Sequence, residues 1–187
     1  TGKVKFLKNN NNSTIIGIQT HLKFSQKELG SSISCNGVCL TLTKIKNKMI
    51  SFYISKETLE RSNFHLIKIH HVVNLEKSLS FGDKISGHFT QGHVDTVAKI
   101  KKITLQDKTW VVQFKIQDKM LNKFIVEKAS ISINGVSLTV SKVTNKFFEI
   151  NVIPHTLDLT NLKNLKINDL VNVELDIFSK YMYKYSY

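Results

Sequence analysis

The segment SISCNGVCLTLTK, residues 32–44, returns as SISINGVSLTVSK at residues 130–142, and this recurrence decides the architecture. A shift of 98 positions lays Ser32–Glu76 on Ser130–Glu174 without a gap. It superposes Ile33 on Ile131, Asn36-Gly37-Val38 on Asn134-Gly135-Val136, and Leu40-Thr41 on Leu138-Thr139. The match runs on through Thr58-Leu59 and Thr156-Leu157, Asn63 and Asn161, Val73-Asn74 and Val171-Asn172, Glu76 and Glu174. Identity spread along a whole segment, rather than gathered in one motif, marks a duplicated unit. One chemically informative position breaks the repeat: Cys39 stands where the second copy has Ser137.

The dominant period is two. Ile15–Gln19, Ile33–Thr43, Met49–Ile54, Trp110–Ile116, Ile131–Ser141 and Phe147–Ile153 alternate β-branched or aromatic residues with polar ones and read as strands. Asn36-Gly37 and Asn134-Gly135 are hairpin signals, since a type I′ turn needs positive φ at both central residues. Each copy is therefore an antiparallel unit of six short strands, and closing it into a barrel removes exposed edges. The expected fold is all-β: two tandem similar six-stranded antiparallel barrels with short helices and a short C-terminal helical tail.

Short helices are expected at Ser55–Leu59, at Pro154–Leu157 with Pro in the first turn, and at Gln117–Lys128. Asn9–Asn12 reads as a hairpin tip. The expected domains are 1–85 and 86–176, with the aromatic, basic segment 177–187 as a tail.

The chain has 187 residues, net charge +13 and 41% hydrophobic residues. No apolar run reaches the ~18 residues of a membrane-spanning helix, and Thr1-Gly2-Lys3-Val4 has no apolar signal core, so a cytoplasmic location is expected with no membrane partner. The positive charge raises nucleic acid as a partner. Yet the lysines are dispersed and Arg61 is the only arginine, which removes the usual bidentate reader of guanine, so no nucleic-acid partner is expected. Cys35 and Cys39 flank the first hairpin on opposite faces and are not expected to bridge. His88, His93 and Asp95 resemble metal ligands, but strand residues five apart face opposite ways.

Seven motifs in order carry a resemblance over essentially the whole chain. They are Asn36-Gly37-Val38-Cys39-Leu40-Thr41, Lys56-Glu57-Thr58-Leu59, Val73-Asn74-Leu75-Glu76, Gly87-His88 with Gly92-His93-Val94-Asp95, Asn134–Thr139, Ile153-Pro154-His155-Thr156-Leu157, and Val171-Asn172-Val173-Glu174 with Asp176 and Lys180-Tyr181. Together they resemble the riboflavin synthase family. In that family a Gly commonly precedes each Val-Asn motif, where this chain has His70 and Asn168, types that tolerate left-handed backbone.

The resemblance implies Greek-key barrels, no metal or organic cofactor, and a homotrimer built through the C-terminal helix, for which this tail is short. A lumazine synthase shell is a further candidate partner. The implied reaction is a dismutation of two molecules of 6,7-dimethyl-8-ribityllumazine by transfer of a four-carbon unit. Its products are riboflavin and 5-amino-6-(ribitylamino)uracil. One substrate needs a base at its acidic 7-methyl group and the other a nucleophile at C7.

By residue-by-residue match the catalytic candidates are Cys39, His93, Ser137, Thr139 and Asp176. Gly2, Val4, Cys39, Leu40, Thr41, Lys56, Glu57, Thr58, Gly92, His93 and Val94 would line the N-terminal site. Lys128, Ser137, Leu138, Thr139, Ile153, Pro154, His155 and Thr156 would line the C-terminal one. The productive site would pair the N-terminal barrel of one subunit with the C-terminal barrel of a neighbour, placing Cys39 and Ser137 of one chain apart. The alternative from another class is a non-catalytic lumazine- or flavin-binding protein on the same fold. Plain structural roles compete at single positions: Cys39 as a small buried hydrophobe, Thr58 and Thr156 as caps, Asn74 and Asn172 as strand starts.

Overall fold

The computed structural model of the chain describes residues 1–186. In the first copy the strands are β1 (Gly2–Asn10), β2 (Ser13–Thr20), β3 (Ser32–Cys35), β4 (Val38–Lys46), β5 (Met49–Ser55), β6 (Val72–Val73) and β7 (Leu75–Lys77). They pair in the order β6-β1-β2-β5-β4-β3-β7, and only Asn74 separates the two terminal strands. The second copy is a closed barrel of β8 (Thr96–Gln106), β9 (Thr109–Ile116), β10 (Ser130–Ile133), β11 (Val136–Val143), β12 (Phe148–Val152) and β13 (Leu170–Leu175). Its order β10-β11-β12-β9-β8-β13 returns β12 beside β9, a Greek key. All strand pairs are antiparallel, and the expected fold class is the one observed.

The alternation read from sequence sets what lies inside. Val4, Ile16, Ile18, Ile33, Leu40, Leu42, Phe52 and Phe64 fill the first barrel; Ile100, Phe114, Ile131, Phe148, Ile150 and Val173 fill the second. Phe114 and Phe148 stack at 5.2 Å between centroids.

Helix α1 (Lys56–Arg61) starts at Ser55, whose hydroxyl accepts from Thr58 N; α2 (Pro154–Leu159) begins on Pro154, as its sequence implies. The helix expected at 117–128 is shorter than its periodicity suggests. A 3-10 turn spans Lys119–Phe124, capped by Asp118, and extended backbone resumes at Ile125. At Lys128 φ is +67, the left-handed value its counterpart Gly30 adopts, so the chain must leave helical geometry before that position. Helix α3 (Ile177–Tyr185) follows β13; residue 187 of the expected tail lies outside the described residues.

Asparagines read from sequence as strand starts lock the barrels together. Asn63 N donates to Asn172 Oδ1 and Asn161 N to Asn74 Oδ1, both at 2.7 Å. Asn74 Nδ2 donates to Asn134 O at 2.9 Å, and Asn172 Nδ2 to Asn36 O at 2.8 Å. Within each barrel, Asn36 Oδ1 accepts from Asn74 N and Asn134 Oδ1 from Asn172 N, both at 2.8 Å. Each bond has its twin under the repeat, so the interface is a pseudo-twofold built from the duplicated side chains.

The two hairpin tips meet on this axis. Asn36 and Gly37 have φ of +45 and +77, Asn134 and Gly135 of +48 and +80, matching the I′ turns expected. A Cβ on Gly37 would stand 2.7 Å from Gly135 N. We therefore expect Gly37→Ala to lose roughly 2 kcal/mol or more, a left-handed alanine alone costing about 1–2 kcal/mol, measured as a lowered denaturation midpoint. The left-handed backbone anticipated at His70 and Asn168 is also present, with φ of +75 and +77.

Candidate active site

Between the barrels lies an open cleft of about 690 Å³. Ser32, Ser34, Cys39 and Glu76 of the first barrel line one side; Val136, Ser137, His155 and Thr156 of the second line the other, with residues 84–92 of the connecting segment running along it. Cys39 and Ser137 thus open on one cleft, where a site shared between subunits leads one to expect them apart.

Strand register explains which side chains reach this space. Cys39 pairs with Ser34, and Ser34 with Glu76 on the neighbouring strand, giving a row of three across β4, β3 and β7. The second copy repeats it as Ser137, Ser132 and Glu174. Cys35, one residue over, points into the core, and its thiol pKa is pushed well up by burial and then by the nearby Cys39. Both cysteines are free, so Cys39 is the accessible thiol.

The two carboxylates of these rows have different surroundings. Glu174 is 4% exposed and accepts from two consecutive amides of the connecting segment, Gln91 N at 2.7 Å and Gly92 N at 2.9 Å. Gly92 O in turn accepts from Cys39 N at 2.8 Å, and a Cβ on Gly92 would collide with Cys39. A buried anion of the second barrel therefore holds the strap that touches the thiol of the first. Glu76 faces the cleft instead, where desolvation raises its carboxyl pKa. Replacing Glu174 with Ala should strand the buried Gly92 N–H, at about 1–3 kcal/mol, while the Gln91 N–H of an exposed residue can turn to water. The check is hydrogen exchange: the Gly92 amide should exchange at least tenfold faster in the variant.

Of the remaining sequence candidates, Leu40 is packed in the first core and Leu138 against the second, so each can offer a ligand only backbone. Thr41 and Thr139 are exposed on the outer faces. Gly2 and Val4 are buried in β1. Lys56, Glu57 and Thr58 form the first turn of α1, where Glu57 pairs with Arg61 at 3.2 Å and Lys56 with Glu60 at 3.7 Å. His93 is exposed, Val94 packs on the first core, and Lys128 is exposed at its turn. Ile153 and Pro154 present the start of α2 to solvent. Asp176 caps α3 by accepting from Phe178 N at 2.9 Å.

One contact has no counterpart among the candidates drawn from sequence. His88 Nδ1 lies 2.7 Å from Ser137 Oγ. His88 sits in the connecting segment, 49 residues from its partner, where no periodicity points to it; the Gly87-His88 pair and the grouping with His93 and Asp95 were its signals. Asp95, grouped by sequence with the two histidines, turns elsewhere, accepting from Leu175 N at 2.8 Å and pairing with Lys180 at 2.7 Å.

Comparison with known proteins agrees with this architecture. The family profile of the lumazine binding domain matches twice, at residues 1–78 and 91–176. Riboflavin synthase of Escherichia coli (strain K12) is 41% identical over 149 residues, 80% of this chain and 70% of that one. The Bacillus subtilis (strain 168) riboflavin synthase is 32% identical over 99% of this chain and 86% of its own. Among solved structures, LumP complexed with 6,7-dimethyl-8-(1'-D-ribityl) lumazine is 26% identical with a TM-score of 0.79, over 92% of this chain and 93% of that one. With two lumazine binding domains and relatives of this likeness, the chain belongs to the riboflavin synthase family of enzymes.

Proposed function

We propose that this protein is a transferase that converts two molecules of 6,7-dimethyl-8-ribityllumazine into riboflavin and 5-amino-6-(ribitylamino)uracil. The observation that carries this reading is the pairing of unlike nucleophiles, Cys39 and Ser137, at twin positions of two lumazine binding domains, both opening on one cleft. Its volume of about 690 Å³ lies within the ~300–1,000 Å³ usual for small-molecule sites. The dismutation needs two substrates in unlike roles, and the duplicated barrels supply two unlike sites. Cys39 would serve as nucleophile or proton shuttle and His93 as an acid or base in the first. Ser137 and Thr139 would act in the second, together with His155 and Thr156, which line the same cleft as Ser137. Asp176, at the head of α3, completes the set.

The barrels divide at residues 85 and 86, with the tail from 177 onward. We assign the tail to trimer formation in the cytoplasm: Phe178, Tyr181, Met182 and Tyr185 of α3 are solvent-exposed in the single chain, an apolar face suited to a second copy. Incubating the purified protein with 6,7-dimethyl-8-ribityllumazine and following riboflavin absorbance tests the reading; absence of conversion would overturn it. The likeness to ligand-bound LumP favours a second reading, a binder that holds lumazine or flavin without turnover. It would purify yellow and fluorescent with unconverted ligand.

A further inference from the structure

Ser137 and His88 form the closest pairing of a nucleophile with a titratable base on the cleft, at 2.7 Å between Oγ and Nδ1. Backbone geometry enforces it. Gly87 has φ of +95 and lies so close to Ser137 that a Cβ there would overlap its hydroxyl, so glycine alone lets the chain bring the next residue's ring onto the serine. The other ring nitrogen, Nε2, is shut off from solvent and has no hydrogen-bond partner among the described residues. Burial pulls the imidazole pKa down, against an opposite pull from Asp176 first and Glu174 second. At neutral pH the ring is therefore uncharged, with one lone pair and one N–H.

A serine hydroxyl is a weak nucleophile until a base takes its proton, and base and hydroxyl within about 2.6–3.2 Å is the signature of such activation. We infer that His88 is the base that activates Ser137 in the half-reaction of the C-terminal barrel, an assignment that rests on the riboflavin synthase reading. As Ser137 Oγ adds to the electron-poor C7 of a bound lumazine, its O–H bond breaks and the proton passes to Nδ1. The C–O bond forms as the C6=C7 π pair shifts through the conjugated ring, leaving the negative charge on a ring nitrogen of the pyrimidine half. The imidazolium so formed lies in the field of Glu174 on β13 and Asp176 at the head of α3. When the adduct collapses, the C–O pair returns to oxygen and the proton goes back. His155 of α2, Lys84 of the connecting segment, and Cys39, Glu76 and Lys77 of the first barrel are the other titratable side chains lining the cleft.

The test joins kinetics to spectroscopy. His88→Asn keeps an amide able to hold the serine but not to take its proton. It should lower kcat by about a hundredfold, within the range of general-base effects, with KM changed less than threefold. The fall in rate on the acid side, expected below the ordinary histidine value of about 6.5, should disappear with it. In a Ser137→Ala background the same change should cost nothing further. Separately, ¹⁵N NMR of the unliganded protein at pH 7 should find His88 neutral, protonated at Nε2 with Nδ1 accepting. Multiplicative losses in the double variant, an unchanged kcat, or an imidazole charged or protonated at Nδ1 at pH 7 would each overturn the assignment. The NMR result does not depend on turnover. A protein that makes no riboflavin yet shows this tautomer would refute the enzyme reading while leaving the pairing in place.

Discussion

Replacing Asn172 with Ala should destabilise the protein by roughly 2 kcal/mol or more, because the buried Asn36 O loses its partner at about 1–3 kcal/mol and the half-buried Asn63 N loses its own as well. Asn172 is 1% exposed; its Oδ1 satisfies Asn63 N of the other barrel and its Nδ2 satisfies Asn36 O at the opposing hairpin. An alanine methyl can replace neither. Against a typical total of about 5–15 kcal/mol, the loss is large. It should also uncouple the barrels, since both bonds cross the interface. Urea denaturation followed by Trp110 fluorescence, which reports on the second barrel, and by far-UV circular dichroism, which reports on both, should give coincident transitions in the parent. In the variant they should separate. A shift below 1 kcal/mol with coincident transitions would mean that the asparagine network does not fasten the barrels.

The second large effect concerns Cys39. Changing it to Ser should lower turnover at least tenfold, while lumazine affinity changes little. A thiol is intrinsically the stronger nucleophile; a hydroxyl needs a positioned base to act. The substitution conserves volume, and the backbone bond from residue 39 N to Gly92 O is indifferent to the side chain. Ground-state contacts therefore survive, and the loss falls on kcat rather than KM. Ser137→Ala, which removes the hydroxyl that His88 meets at 2.7 Å, should cost kcat about as much as His88→Asn. A Cys39→Ser enzyme that turned over at the parent rate, or one that no longer bound ligand, would remove the thiol from the mechanism.

Much of the architecture was legible in the sequence because its signals are local. The Asn-Gly turns need positive φ at adjacent positions, and the strands on either side carry the alternation that a half-buried sheet demands. His70 and Asn168 declared their left-handed backbone through residue type, in places where glycine is the usual solution. Register then put Cys35 inside and Cys39 outside, as the hairpin implies. The segment 117–128 misled because four apolar residues at helical spacing also suit a 3-10 turn that lays Leu121 and Phe124 on the core, and nothing local announces the left-handed Lys128.

The site was less legible, since its decisive contacts join residues far apart in the chain. Asn74 and Asn172 were visible as repeats, yet their partners Asn161 and Asn63 lie across an interface that only the folded pair creates. Glu76 and Glu174 are identical in sequence and occupy twin positions. One faces the cleft and the other grips the connecting segment through Gln91 N and Gly92 N. His88 belongs to that same segment. The duplicated parts carry the symmetry of the fold; the connecting segment makes the two barrels unequal.

That inequality is tested most directly by stoichiometry in a sealed reaction of the purified protein with 6,7-dimethyl-8-ribityllumazine, with every pterin, flavin and pyrimidine counted by chromatography. Two barrels in unlike roles require one riboflavin and one 5-amino-6-(ribitylamino)uracil for every two lumazines consumed, at all extents of reaction. Lumazine that stays bound and unconverted at up to two per chain, or any other ratio, would contradict the account.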